Sequence, residues 1–150
     1  VHSKPLLRLA SAGSSKASIK ALLGRKIYMN DKRRQLGTEM MRKVVPRVPQ
    51  FEPYDPITEW THDVIFGELW QRELLSMRER RLICIVSAAA AGSEIAVRSH
   101  VGGALDSGDF TLEELQEVCL YFANYYGMTN SMVLNSELTK RSFEASGKAQ

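Results

Sequence analysis

Cysteine is scarce in this chain: among 150 residues only Cys84 and Cys119 occur, and neither lies in a Cys-x-x-Cys pair. Two thiols so placed do not make a disulfide framework. Both fall on apolar stripes of predicted helices and read as buried structural side chains. Long apolar runs are missing too. The longest, residues 82–91, is interrupted by Ser87 and falls short of the ~20 residues that cross a bilayer; the expectation is a soluble protein with no membrane partner. Acidic residues are absent from the first 30 positions, which carry Lys4, Arg8, Lys16, Lys20, Arg25 and Lys26. The rest of the chain then holds 14 bases against 17 acids, although the total is +3. A mildly acidic body behind a basic leader does not match a nucleic-acid binder, which gathers its cations on a working face. There is no glycine-rich phosphate loop after a strand, so nothing points to a nucleotide. His62 and His100 are far apart in sequence without a carboxylate cluster at ligand spacing, and His2 lies in the leader, so no metal is expected.

What is present is ordinary globular material, 44% hydrophobic and 25% charged, enough for one domain with a core of normal size. Residues 1–30 read as a basic N-terminal arm or leader and residues 31–150 as a helical domain. The Ser- and Ala-rich, acid-free leader has the composition of an organellar transit peptide; the competing reading is an arm that packs on a neighbouring subunit. Localisation follows from that choice: cytoplasmic, or mitochondrial if the leader is a transit peptide.

Helical periodicity runs through the chain, and no strand pattern competes with it. A short helix is expected over residues 18–29, and another over 31–45 through Leu36, Met40, Met41, Val44 and Val45. Pro46, Pro49, Pro53 and Pro56 then predict an extended connector. Beyond it, Trp60, Val64, Ile65, Leu69 and Trp70 form an expected apolar face. Ser76-Met77-Arg78-Glu79 and Thr111-Leu112-Glu113-Glu114 are capping boxes. The first opens a helix that includes an alanine run, residues 88–91, with Gly92 as its stop. The alanines imply close helix–helix approach. A helix over about 93–105 closes at Asp106-Ser107-Gly108. The second box opens a helix with Leu115, Val118, Cys119, Phe122 and Tyr126 on one face, stopped at Gly127. A last helix covers about 131–143. The fold class is all-α.

Several local patterns line up with one another. They are Gly67-Glu68-Leu69-Trp70-Gln71-Arg72; Leu75-Ser76-Met77-Arg78-Glu79-Arg80; Glu94 six residues before His100; Ala104-Leu105-Asp106-Ser107-Gly108; Glu113, Glu117 and Val118; and Tyr125-x-Gly127. In this order and spacing they resemble the carboxymuconolactone decarboxylase family, with a weaker match over residues 37–42. The resemblance implies an alkylhydroperoxidase-like bundle of about six helices, a homo-oligomeric ring (trimer or hexamer), and decarboxylation of a small cyclic lactone acid without a cofactor. Redox relatives carry Cys-x-x-Cys-x-x-x-His; here Ser93 and Ala96 stand at the thiol positions ahead of His100, so disulfide exchange has no thiolate pair. An extra residue between Gly108 and Thr111, and Thr129 where relatives often have Pro, leave the substrate open.

Losing CO2 leaves an electron pair that the substrate's own carbonyl must take up. The protein then has to supply a group near the carboxylate, donors for the developing oxyanion, and an acid to protonate carbon. His100, the histidine inside the family pattern, is the candidate acid–base group, since imidazole titrates near neutral pH; its rival reading is a core histidine bonded to a backbone carbonyl. Glu68 is the second candidate, as a partner that sets the His100 tautomer or as a proton carrier, against an ion pair with Arg80 or Arg72. Those two arginines suit a bidentate grip on a substrate carboxylate, or a structural role in the helix network. Trp70 is a pocket wall or subunit contact. The leading function is a cofactor-free decarboxylase of a small carboxylated lactone or β-keto acid, resembling 4-carboxymuconolactone or an aromatic polyketide acid. The alternatives are a non-catalytic oligomeric binding protein of the same fold and a cofactor-free isomerase.

Overall fold

A computed structural model describes residues 31–49, 53 and 55–147. The expected helix over 18–29 and the basic leader lie outside the described residues. All contacts considered below fall in the compact unit Arg33–Gln150. Among the described residues there are six α-helices and no strand: α1 (Asp31–Val44), α2 (Pro56–Trp60), α3 (Met77–Ala90), α4 (Glu94–Asp106), α5 (Leu112–Tyr126) and α6 (Met128–Ala145). None of them is long and apolar enough to cross a membrane.

The helix ends follow local chemistry. Ser76 accepts from the Glu79 amide while Glu79 accepts from the Ser76 amide, and Thr111 and Glu114 repeat the exchange at α5. Such reciprocal caps satisfy two orphan donors each. At the end of α3, Gly92 adopts φ +68°. Its amide donates to the Ala89 carbonyl and that of Ser93 to the Ala88 carbonyl, the paired bonds of a Schellman stop. Pro56 belongs to a helix rather than to the connector. Asp55 caps α2 through the Thr58 amide, and the fixed φ of proline suits the first helical turn.

Between α2 and α3 the expected apolar face is corrected. The chain continues from α2 into a π-helical turn, Thr61–Phe66, whose wider turn shifts the phase of every later side chain. His62, Asp63 and Phe66 therefore face inward, whereas Trp60 and Leu69 are more than half exposed. The polar pair meets α1, where the Arg34 Nη2 donates to Asp63 Oδ2 at 2.8 Å and Thr38 Oγ1 lies 3.5 Å from His62 Nδ1. Gly37 permits this approach, since a Cβ there would sit 1.9 Å from the His62 carbonyl oxygen.

The core has two parts. One, between α3, α4, α5 and α6, centres on Ile85, Ala88, Ala89, Val97, Val101, Leu115, Leu134 and Leu138. Ala88 and Ala89 let α3 close on α4. The other gathers Met41, Val44, Val45, Phe66 and Trp70 around the end of α1, with Met77 and Cys84 packed against it.

Arg81 joins the two parts. It is 1% exposed; its Nε donates to Asp109 Oδ2 at 2.6 Å, Nη1 to the Val44 carbonyl at 2.6 Å and Nη2 to the Lys43 carbonyl at 2.7 Å. The last carbonyls of a helix have no partner within it and carry partial negative charge, so the guanidinium serves as the C-terminal cap of α1. Gly103 of α4 makes room for it. A Cβ at that position would meet the Val44 carbonyl oxygen at 2.0 Å and Arg81 Nη1 at 2.7 Å. Neither can move aside cheaply, because one is backbone and the other is held by its hydrogen bonds. Gly103→Ala is expected to lower stability by about 1–3 kcal/mol, measured as a reduced urea midpoint at unchanged slope. A wild-type midpoint would mean that α1 and α4 do not pack this closely.

Candidate active site

Of the residues singled out in the sequence, Trp70, Arg72 and Arg80 come together at the start of α3. A 3₁₀ turn, Leu69–Gln71, carries Trp70 into the smaller core, where it is 4% exposed. Gln71 pins that turn by donating to the Phe66 carbonyl at 2.9 Å. From the first turn of α3, the Arg80 guanidinium reaches back to hydrogen-bond the Trp70 carbonyl and lies 5.8 Å from the centre of the Trp70 ring. The capping box fixes where α3 begins, and so fixes this reach.

Between the turn and the helix is a cavity of about 440 Å3. Leu69, Leu74, Leu75 and Ile83 give it apolar walls, Trp70 a flat aromatic side, and Arg72 and Arg80 its two cations; Cys84 completes the lining. Among the described residues neither Arg72 nor Arg80 pairs with a carboxylate. Two uncompensated guanidinium groups on an apolar wall suit an anionic ligand with a hydrophobic body.

His100 sits on α4, with its ring stacked on that of Trp70 at 6.5 Å between centroids and 10° between planes. It does not itself line the cavity. Its Nδ1 is buried and has no hydrogen-bond partner among the described residues, so the alternative of a core histidine tied through that nitrogen to a backbone carbonyl does not form there. Burial, helped by the nearby positive charge of Arg81, pushes the imidazole down to about 4. The expectation of a group titrating near neutrality is corrected accordingly: in the free protein the ring is neutral, because a charged imidazolium would lose hydration and face a cation.

Glu68 stands elsewhere. It pairs with Arg33 and its side chain is 51% exposed. Neither the partnership with His100 nor the pairing with Arg80 or Arg72 forms, since the 3₁₀ turn that directs Trp70 inward leaves Glu68 on the surface facing α1. His62 is buried beside Thr38.

The sequence reading passed over Arg81 and took Cys84 for a buried structural thiol, whereas Cys84 is half-buried and lines the cavity. Arg81 follows Arg80 directly, and no local pattern marks one of two adjacent arginines as buried. Cys84 carried a usable signal: it lies four residues after Arg80, which puts both on one helix face. A second groove, of about 920 Å3, runs between α3 and α5 with Tyr121, Phe122 and Tyr125 on its wall. Its charged lining residues include Arg78 and Glu114, which pair with each other.

A family model described as the carboxymuconolactone decarboxylase family matches residues 56–136, just over half of the chain and the whole span from α2 into α6. That span contains the cavity and His100. No curated protein and no solved structure matches the chain.

The depressed imidazole pKa has a consequence for stability. As pH falls from 6.5 towards 4, the unfolded chain binds the proton at position 100 before the folded protein does. Stability present above pH 6.5 is therefore lost across that window, by up to about 3 kcal/mol from this residue. Urea midpoints between pH 7 and 4.5 are expected to fall more steeply for the wild type than for His100→Gln. Identical pH dependence in the two proteins would show that the ring titrates near its ordinary value.

Proposed function

The chain belongs to the carboxymuconolactone decarboxylase family, and from that premise we propose that it is a cofactor-free decarboxylase of a small carboxylated lactone or β-keto acid. The observation that carries this reading is the cavity beside α3, in which two guanidinium groups that have no carboxylate partner among the described residues meet an apolar and aromatic wall. A compact acid with a flat, hydrophobic body complements it in charge and size.

The proposed division of labour follows from exposure. Arg72 is exposed at the cavity's edge and captures a substrate carboxylate. Arg80 is held by the Trp70 and Ser76 carbonyls, so its remaining N–H donors are oriented before substrate arrives. Donors fixed in advance near a developing enolate oxygen stabilise the transition state without reorganising. Trp70 provides the flat wall. His100, neutral and stacked on Trp70, stands outside the cavity lining and backs that wall, so a charge gained by its ring would disturb the wall from behind. Glu68 has no part in this scheme.

A non-catalytic binding role is favoured by one observation, the larger groove between α3 and α5 with its aromatic and aliphatic wall. It would bind hydrophobic ligands without CO2 release.

CO2 release from a panel of lactone and β-keto acids is the direct test. Arg80→Gln is expected to lower kcat by about 10² to 10³, the usual effect of removing one oxyanion donor. Arg72→Gln is expected chiefly to raise KM, as loss of ground-state binding does. For the wild type, kcat/KM should be level near neutral pH and fall as pH drops through about 4, where the free imidazole gains its proton. No turnover of any acid in the panel would abandon the decarboxylase reading for the binding one.

A further inference from the structure

We propose that the ligand of this cavity is a carboxylic acid with an extended apolar body, which leaves the end marked by Arg72 and Arg80, crosses Ile83 and lies in the groove between α3 and α5. The proposal rests on the anion-binding part of the reading above and deepens it by naming the class of acid and the residues that select it.

The cavity and the groove form one track along a single face of α3. Ile83 lines both of them and stands half exposed where they meet. Arg80 precedes it by three residues, and Ser87 and Ala90 follow it by four and seven. That spacing puts the four side chains in one row on a helix, about 15 Å from first to last at the helical rise. The last two are small, so Ser87 and Ala90 give the groove a low floor, while Tyr121, Phe122 and Tyr125 of α5 stand at its side. Ala88 and Ala89 belong to the same alanine run and are buried. The run therefore serves helix packing on its inner side and keeps the groove open on its outer side.

Charge fixes the direction of the ligand. Among the described residues Arg72 and Arg80 have no carboxylate partner, whereas in the groove Arg78 is paired with Glu114 and Glu117 forms no ion pair. A carboxylate is thus attracted to the arginine end and repelled from the groove by the charge of Glu117. The apolar body gains most from the opposite end, where it covers aromatic and aliphatic surface. Size agrees with this placement. A cavity of about 440 Å3 adjoins a groove of about 920 Å3, and pockets of roughly 300–1,000 Å3 hold drug-sized molecules. A short acid at the arginines would leave the Tyr121 and Tyr125 wall in water.

The test is the binding of straight-chain carboxylates that do not decarboxylate, namely butanoate, octanoate and dodecanoate, measured by calorimetric titration of the wild type, Ser87→Glu and Arg72→Gln. For the wild type, Kd is expected to fall about fourfold for each methylene that leaves water, and to go on falling from octanoate to dodecanoate. Ser87 is exposed, so Ser87→Glu keeps the fold while setting a charge on the groove floor. It is expected to weaken dodecanoate by about tenfold or more and to leave butanoate unchanged. Arg72→Gln is expected to weaken all three acids by a similar factor. Dodecanoate bound no better than butanoate, or bound by Ser87→Glu as well as by the wild type, would overturn the proposal. So would a smaller assembly in sedimentation for Ser87→Glu, which would give the groove to a second copy of the chain. Because these acids are not turned over, a failure of the β-keto acids to release CO2 would remove the decarboxylase reading and leave this result standing.

Discussion

A buried guanidinium organises this molecule. Arg81 is almost fully withdrawn from water, a position that would be strongly destabilising for an unpaired charge. Here all three of its nitrogen positions are used: one on the Asp109 carboxylate and two on the last carbonyls of α1. A single side chain thereby fastens α3 to the end of α1 and to the loop between α4 and α5. Replacing a buried pair by apolar groups can be neutral, but removing one partner leaves the others desolvated and unsatisfied. Arg81 is therefore tied to its partners as a set, and Gly103 is tied to it by lack of space.

The same anchoring orients the candidate site. With α3 fixed by Arg81 and started by the Ser76–Glu79 cap, Arg80 is directed back over the Trp70 turn and Cys84 is placed one turn further along. The charge of Arg81 also acts at a distance, disfavouring a charged His100 and favouring a thiolate at Cys84. Structure and chemistry are thus coupled through one residue that touches neither the cavity nor its contents. His100 shows the converse. Its buried Nδ1 has no hydrogen-bond partner among the described residues, a cost that the packing of the ring on Trp70 has to offset.

Much of the helical framework could be read from the chain because its signals are local. A Ser or Thr three residues before Glu, a glycine after an alanine run, and apolar residues recurring at 3.6-residue spacing each act within one or two turns. The caps at Ser76 and Thr111 and the stops at Gly92 and Gly127 formed where those patterns placed them. The Trp60–Trp70 face did not, because a π-helical turn is a response to packing. It lets His62 and Asp63 meet Thr38 and Arg34 on α1, and no periodicity within the segment announces that meeting.

The sequence by itself determined the all-helical class, the ends of α3, α4 and α5, and the set of residues from Gly67 to Gly127 by which the family is recognised. Tertiary structure decided the partners: Glu68 goes to Arg33 on the surface, Arg81 rather than Arg80 is buried, and Cys84 lines the same cavity as Arg72 and Arg80. The reason is one of range. Capping and helical periodicity depend on hydrogen bonds and side chains a few residues apart, whereas burial, ion pairing and the pKa of His100 depend on segments brought together only when the helices pack.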